Sequence, residues 1–407
     1  MSAPIESCTD IDNFKDIYKR YKRRDKPLVV EDVIDIHTGI NIPNAIPFDL
    51  HEPAHKSFPG LKPVAEWRAY QIQNCEGFIV ISNAFKRKYQ RYWVARCLLD
   101  FPMKPNKTNV DAHTDRPSQI WNSCIDNNRP DLKKDSLLMR LRWATLGYQY
   151  EWNTKEYFSD RVQEFPTDLS HLCGYIAETL GYSSYSSEAG IVNFYRMDSS
   201  LMGHTDVSEL DHAAPIISFS FGQSCIFLIG GPTKATTPTA VFLHSGDIVL
   251  MTKQARLSYH AVPRILPGNP EHLHNCFYGD DDVIITESQG DKSIQQYVES
   301  SGDSNEIDPY SDTANQKPPH INIVQSDSAS HKEDVVETPT MKGNNCSVDE
   351  LGVIMDEVLQ GLDWAPFHEY LNVSRVNVNV RQVLKAGAEL GLSLAEIKPC
   401  DRNYTQK

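Results

Sequence analysis

The 407-residue sequence predicts an α+β chain: an antiparallel jelly-roll core with a helical N-terminal extension and a long disordered insertion. Three observations carry that prediction. From 188 to 266 the runs GIVNFYRM, PIISFSFG, SCIFLIGG, TAVFLHSGDIVLM and RLSYHAV are short, β-branched and aromatic, with turn residues between them, as in an antiparallel sandwich or barrel. A last run, SRVNVNVRQV (374–383), alternates polar and apolar residues with the period of two that a strand requires. Between them, residues 279–350 are rich in Ser, Asp, Asn, Gln and Pro, and their scattered hydrophobes follow no period.

Taken in order, residues 1–80 read as the N-terminal extension. Within it, DNFKDIYKRYKRRDKP (12–27) reads as a basic amphipathic helix. Phe14, Ile17, Tyr18 and Tyr21 make an apolar stripe, Lys19, Arg20, Lys22, Arg23 and Arg24 fill the remaining faces, and Pro27 ends it. The cationic face suits solvent, a phosphate or an organelle-targeting role, and the sequence does not choose. Residues 28–80 are mixed and interrupted by proline. Residues 81–186 read as a helical and substrate-lid region, with a helix at 86–100 and a polar stretch at 101–136 that holds a solitary Trp121 in PSQIWNSC. The core takes 187–278 and 351–390, the insertion 279–350 divides it, and 391–407 is a polar tail.

The formal charge of −14 is unevenly placed. Residues 279–350 hold 16 acids against four lysines, a net −12, so the rest of the chain is nearly neutral and charge excludes no partner. The nine cysteines are scattered, without a C-x-x-C pair, which fits reduced thiols in an intracellular protein. No apolar run approaches the roughly 20 residues of a membrane span, and the first residues lack a secretory pattern. Nucleus, cytoplasm and mitochondrion stay open.

The densest cluster of potential metal ligands is GHTDVSELDH (203–212). His204 and Asp206 are two apart in an extended stretch and so share a face, two legs of a 2-His-1-carboxylate triad. The third leg is a histidine distant in sequence. His212 sits in a loop leading to the next strand, whereas His260 in RLSYHAVPRI lies on a separate predicted strand, and His260 is the better choice. Glu209 and Asp211 then read as surface acids.

In Arg375-Val376-Asn377-Val378-Asn379-Val380-Arg381 every odd position is polar and every even one is valine. One face thus carries two arginines and two amides, suited to a dicarboxylate, and the other is dry. The two arginine Cα atoms are about 20 Å apart on a straight strand, so their side chains must lean inward to meet one small diacid. Asn193 and Tyr195 share a face just before the H-x-D stretch and offer an amide and a phenol to the same ligand.

The series NFYRMDSSLMGHTD, SFSFGQSCIFLIGG, LHSGDIVLM, RLSYHAVPRI and RVNVNVRQV resembles, in order and spacing, the AlkB family of Fe(II)/2-oxoglutarate dioxygenases. The resemblance runs from about residue 12 to 385, apart from 279–350. It implies a double-stranded β-helix core, with His204, Asp206 and His260 holding Fe(II). It further implies that Asn193, Tyr195, Arg375 and Arg381, assisted by Asn377, hold 2-oxoglutarate, with O2 as the oxidant. The implied chemistry oxidises a methyl group: an N-linked hydroxymethyl falls apart to formaldehyde, and a C-linked one stays hydroxylated or is oxidised further.

Family members flip a base out of its stack, which calls for aromatic surfaces. Trp121, Trp143, Tyr148, Tyr150 and Trp152 are available, and GYQY (147–150) matches the family's substrate-facing segment, placing Tyr148 and Tyr150 first. Ser208 stands where the bacterial pattern carries a base-reading acid, so base identity is not inherited from it. The implied partner is nucleic acid: tRNA carrying N1-methyladenine or 5-methylcytosine first, then N6-methyladenine in DNA, in unpaired strands, bound by a monomer. Two rivals stand beside this reading. A protein side-chain hydroxylase of the same fold would turn over without regard to nucleic acid, and a non-enzymatic nucleic-acid-binding protein would not need His204.

Overall fold

Period-two hydrophobicity builds two facing antiparallel sheets. The computed structural model describes residues 11–268 and 346–385, apart from 40, 42, 43, 56, 83, 113 and 114. The early strands are β1 (Ala45–Pro47), β2 (Arg68–Ile72), β3 (Phe78–Ser82), a small hairpin β4 (Ile125–Asp126) and β5 (Arg129–Pro130), β6 (Trp143–Glu151) and β7 (Glu156–Val162). The core follows as β8 (Ala189–Arg196), β9 (Leu201–His204), β10 (Ile216–Gly222) and β11 (Ser224–Ile229). It continues through β12 (Thr239–Leu243), β13 (Ile248–Met251), β14 (His260–Leu266) and β15 (Ser374–Arg381).

The larger sheet runs β1-β2-β3-β13-β10-β15-β8-β6-β7, and the smaller runs β12-β11-β14-β9. Apart from the β11–β12 hairpin, which lies within the smaller sheet, β8 to β15 thus alternate between the sheets as a jelly roll does. Residues 28–80, in which the sequence shows no clear strand, supply β1 to β3. β3 pairs with β13 and carries the large sheet past the jelly roll.

β15 explains how one strand serves two environments. Val376, Val378 and Val380 join the hydrophobic core between the large sheet and the helices Gln90–Ala95, Thr167–Glu178, Val348–Gly361 and Ala365–Leu371. Burying each valine contributes roughly 1.5–3 kcal/mol. The intervening polar residues face the space between the sheets, where Leu201, Ile216, Val249, Met251 and Val262 form an apolar layer.

The basic helix spans Asn13–Lys22 and buries Phe14, Tyr18 and Tyr21, as its stripe predicts. It packs on the outer side of the small sheet against Ile226, Leu228, Ala240 and Ala261. Glycine is required there. A Cβ on Gly203 would stand 2.7 Å from the Phe14 ring and one on Gly230 2.9 Å, so the helix is seated directly behind the H-x-D stretch.

Two boundaries differ from the sequence reading. RLSYHAV is not strand throughout: Lys253–Leu257 forms a tight 3-10 turn and β14 begins at His260 itself. Of the 279–350 insertion, residues through 345 lie outside the described residues, as does the 391–407 tail. The remaining few begin a helix, Val348–Gly361, because Ser347 and Glu350 form a reciprocal capping box that a reading of composition passes over.

Candidate active site and metal centre

β9 and β14 are neighbours, and their register sets His260 directly opposite His204. The pairing shifts between His260 and Val262, an irregularity of the kind that re-aims side chains beside functional sites. The two imidazole centroids are 4.3 Å apart. Asp206 follows two residues after His204, its Oδ1 4.0 Å from His204 Nε2 and its Oδ2 3.8 Å from His260 Nε2. One donor atom from each residue lies within 4.8 Å of the others. His212, the alternative third ligand, is exposed in a bend and outside this group.

Each imidazole is oriented from behind. His204 Nδ1 lies 2.9 Å from the Met202 carbonyl and His260 Nδ1 3.1 Å from that of Ser258. A carbonyl only accepts, so Nδ1 carries the hydrogen and Nε2 keeps its lone pair for a metal. Burial, with the neighbouring His204, pushes His260 down to about 4, which keeps it neutral at ordinary pH. Burial opposes ionisation of Asp206 as well, yet Arg381 and the two histidines together hold it well below the usual carboxylate range. The donor set therefore fits a divalent cation: two imidazole nitrogens and one carboxylate, converging without hydrogen bonds among themselves.

The site opens into a cavity of about 370 Å³ between the sheets. β15 pairs with β8 so that Arg375 faces Tyr195 and Asn377 faces Asn193, and all four line the cavity. Asn193 Nδ2 is 3.5 Å from Asn377 Oδ1. Arg375 is held at the far end: Nη1 donates to the Gln223 carbonyl at 3.0 Å and Nη2 to Ser220 Oγ at 2.6 Å. Arg381, at the near end, donates through Nη2 to Asp206 Oδ2 at 2.9 Å. The strand's length thus separates the two arginines by task, and they do not converge on one point. Arg375 Nε and both Nε and Nη1 of Arg381 are buried without a hydrogen-bond partner, Arg381 Nε making only an ion contact with Glu209 at 3.2 Å. Orphaned guanidinium donors on a polar wall fit the carboxylates of a small diacid.

The aromatic residues divide. Tyr150 lines the cavity, and its hydroxyl lies 3.2 Å from Ser208 Oγ, linking β6 to the H-x-D loop. Trp152 lines it too, its ring 4.6 Å from that of Tyr150. Trp121, Trp143 and Tyr148, also expected to face a substrate, do not line it. Trp121 stacks on Phe367 at 4.6 Å in the helical core, an apolar neighbour that lies far away in sequence. Trp143 is buried behind Trp152. Tyr148 packs among Ala189, Val383 and Leu384.

Glu209 is a further correction. It is buried, not a surface acid, and is bound by Arg256 and Tyr157. Arg256, fully buried, went unnoticed because nothing in RLSYHAV marks one arginine as an interior one.

Two histidines and a carboxylate at one end of a jelly-roll cavity, beside a buried arginine-lined wall, define the class of an Fe(II)- and 2-oxo-acid-dependent oxygenase. Residues 77–287 match the 2OG-Fe(II) oxygenase superfamily, and the chain belongs to that superfamily, within its AlkB family. The family uses Fe(II), 2-oxoglutarate and O2.

The chain is similar to the mouse (Mus musculus) nucleic acid dioxygenase ALKBH1, 47% identical over 228 residues, which covers 53% of this chain and 58% of that protein. It is 46% identical to the human (Homo sapiens) protein of the same name over 218 residues, 52% of this chain and 56% of that one. It is 34% identical to the tRNA demethylase abh1 of Schizosaccharomyces pombe over 243 residues, 55% of this chain and 80% of that one. The chain spans little more than half the length of the two mammalian relatives. Among the described residues no helix is long and apolar enough to cross a membrane.

Proposed function

We propose that this chain is an Fe(II)/2-oxoglutarate-dependent dioxygenase acting on methylated bases of nucleic acid, with methylated tRNA the leading substrate. One observation carries the reading: His204, Asp206 and His260 open onto the same cavity as the polar wall of Arg375, Asn377, Asn193 and Tyr195. The name of the fission-yeast relative supports tRNA, and those of the mammalian relatives support nucleic acid.

His204, Asp206 and His260 would hold Fe(II), three ligands that leave other positions open. Bound together, Fe(II) and 2-oxoglutarate supply the oxidation of a methyl C–H bond by O2, the 2-oxo acid leaving as succinate and CO2. Arg375, immobilised by Ser220 and Gln223, would hold a carboxylate of 2-oxoglutarate. Asn193 and Asn377 present amides along the wall, and Tyr195 a phenol. Arg381 neutralises and orients Asp206. Tyr150 and Trp152 offer ring surface to a flipped base, whose unstacking costs a few kcal/mol and is cheapest in unpaired strands. Ser208, neutral and bonded to Tyr150, makes a hydrogen bond with either polarity, so it does not by itself restrict the base. An N-hydroxymethyl product then expels formaldehyde.

The test is formaldehyde release from tRNA containing N1-methyladenine, with Fe(II), 2-oxoglutarate and ascorbate, comparing wild type with His260→Ala. Release by wild type alone is the expected result. Succinate formed without formaldehyde redirects the reading to a C-methyl, DNA or protein substrate. Neither product from folded, iron-loaded protein overturns it.

A further inference from the structure

Behind Asp206 the charges close into a ring. Arg256 is 1% exposed and all three guanidinium nitrogens are engaged. Nη1 donates to the main-chain carbonyl of Asp206 at 2.6 Å, Nη2 to Glu209 Oε2 at 2.9 Å and Nε to the Ala214 carbonyl at 3.2 Å. Glu209, 4% exposed, also accepts the Tyr157 hydroxyl at 2.9 Å, and its Oε1 lies 3.2 Å from Arg381 Nε. Arg381 completes the ring through its bond to Asp206 Oδ2 at 2.9 Å. Glu209 thus stands between two buried guanidinium groups, one fixing the main chain of Asp206 and the other its side chain.

We propose that Glu209 and Arg256 are positioning residues for the metal site, setting how Asp206 is presented to a cation held with His204 and His260. The inference rests on the metal reading of those three residues. Charge and geometry both support it. Asp206, Glu209, Arg256 and Arg381 sum to zero, so a cation entering between the two imidazoles meets no net repulsion from the ring. Without the Glu209 charge the same ring is positive, and Arg381 Nε loses the carboxylate that faces it. Without Arg256 the carbonyl of Asp206 loses its donor, and the peptide bearing the ligand is free to turn. A buried ion pair with a purely structural role would alter stability alone and leave the metal constant of the folded protein where it was.

The experiment measures Mn(II) binding by calorimetry on the full chain, without 2-oxoglutarate or nucleic acid, folding being checked by circular dichroism. Glu209→Gln keeps the shape of the side chain and removes its charge. Outer partners of metal ligands are typically worth about 10–100-fold in affinity, so its dissociation constant is expected to rise by at least about tenfold. The paired variant Glu209→Gln/Arg256→Met removes both charges and leaves no buried ion unpaired, so it decides the matter if the single variant does not fold. It is expected to weaken Mn(II) binding as well, because Asp206 still loses its main-chain donor. Folded variants that bind Mn(II) within about twofold of wild type, short of the effect of outer partners, overturn the proposal. Failure of the wild type to bind Mn(II) overturns the metal reading itself, and the proposal with it.

Discussion

The fold holds two clusters of histidine and aspartate at separate places, and they behave in opposite ways. In one, His204, Asp206 and His260 approach one another only to 3.8–4.0 Å, and each imidazole spends Nδ1 on a backbone carbonyl. In the other, His37 Nε2 is bonded to Asp247 at 2.7 Å, and His244 Nδ1 lies 2.8 Å from Ser224 Oγ, its Nε2 3.5 Å from Asp35. The His37 and His244 rings sit 4.8 Å apart, edge to face. Asp247 further accepts the His244 main-chain N–H at 2.7 Å. Residue type is the same in both clusters. What differs is the direct bond: His37 Nε2 is tied to Asp247, whereas Nε2 of His204 and of His260 bonds no aspartate, and that separates a site open to a ligand from a latch that ties the N-terminal segment to the turn between β12 and β13.

The comparison breaks first at Asp206. Asp206→Ala should abolish Mn(II) binding and lower turnover beyond the roughly 100-fold that outer partners cost. It should also leave Arg381 as a buried cation without its main partner, visible as a lower melting temperature. Asp247→Ala should do the reverse. Loss of the latch leaves His37 and the His244 N–H without their acceptor, at a cost of about 1–3 kcal/mol in denaturant unfolding, while Mn(II) affinity stays at the wild-type value. Equal loss of metal affinity in both variants would mean that the clusters are not independent.

Their pH dependence should differ in sign. Burial disfavours the charged form of His37, but Asp247 and Asp35 outweigh it and raise its value above the ordinary 6.5. Its contribution to stability is full below the unfolded value of 6.5 and is lost as pH rises through the folded one. His260, lowered to about 4 by burial and by His204, contributes above 6.5 and loses that contribution as pH falls toward 4. In metal-free protein, His37→Gln should flatten the alkaline side of the stability profile and His260→Gln the acidic side. The smallest effect is expected of Tyr150→Phe. Deleting its hydroxyl from Ser208 costs about 1 kcal/mol or less, read as a modest rise in KM for nucleic acid with kcat little changed.

How much of this was legible in the sequence varies residue by residue. The faces of β15 were, because alternation is local and burial of the valines enforces it. The choice of His260 over His212 was also legible, since one lies on a strand and the other in a turn. Glu209 was not: nothing in Val207-Ser208-Glu209-Leu210-Asp211 marks one acid as interior, and the arginine that neutralises it arrives from a turn near β14. The sequence likewise left the setting of Trp121 open, its stacking partner Phe367 belonging to a helix near the other end of the chain. Strands β1 and β2 were not legible because proline and mixed polarity break their pattern, whereas the apolar run FIVIS of β3 straddles the boundary that the sequence reading sets at residue 80.

The sequence by itself determined the strand periods, the apolar stripe of the N-terminal helix and the set of side chains able to bind a metal and a diacid. These follow from spacing of two or three to four residues, which acts along the chain. Only the tertiary structure decided that Glu209 would be a buried counter-charge, which aromatic rings would reach the cavity, and which arginine would serve Asp206. Those outcomes depend on the register between strands distant in sequence, where a single step exchanges one face of a strand for the other.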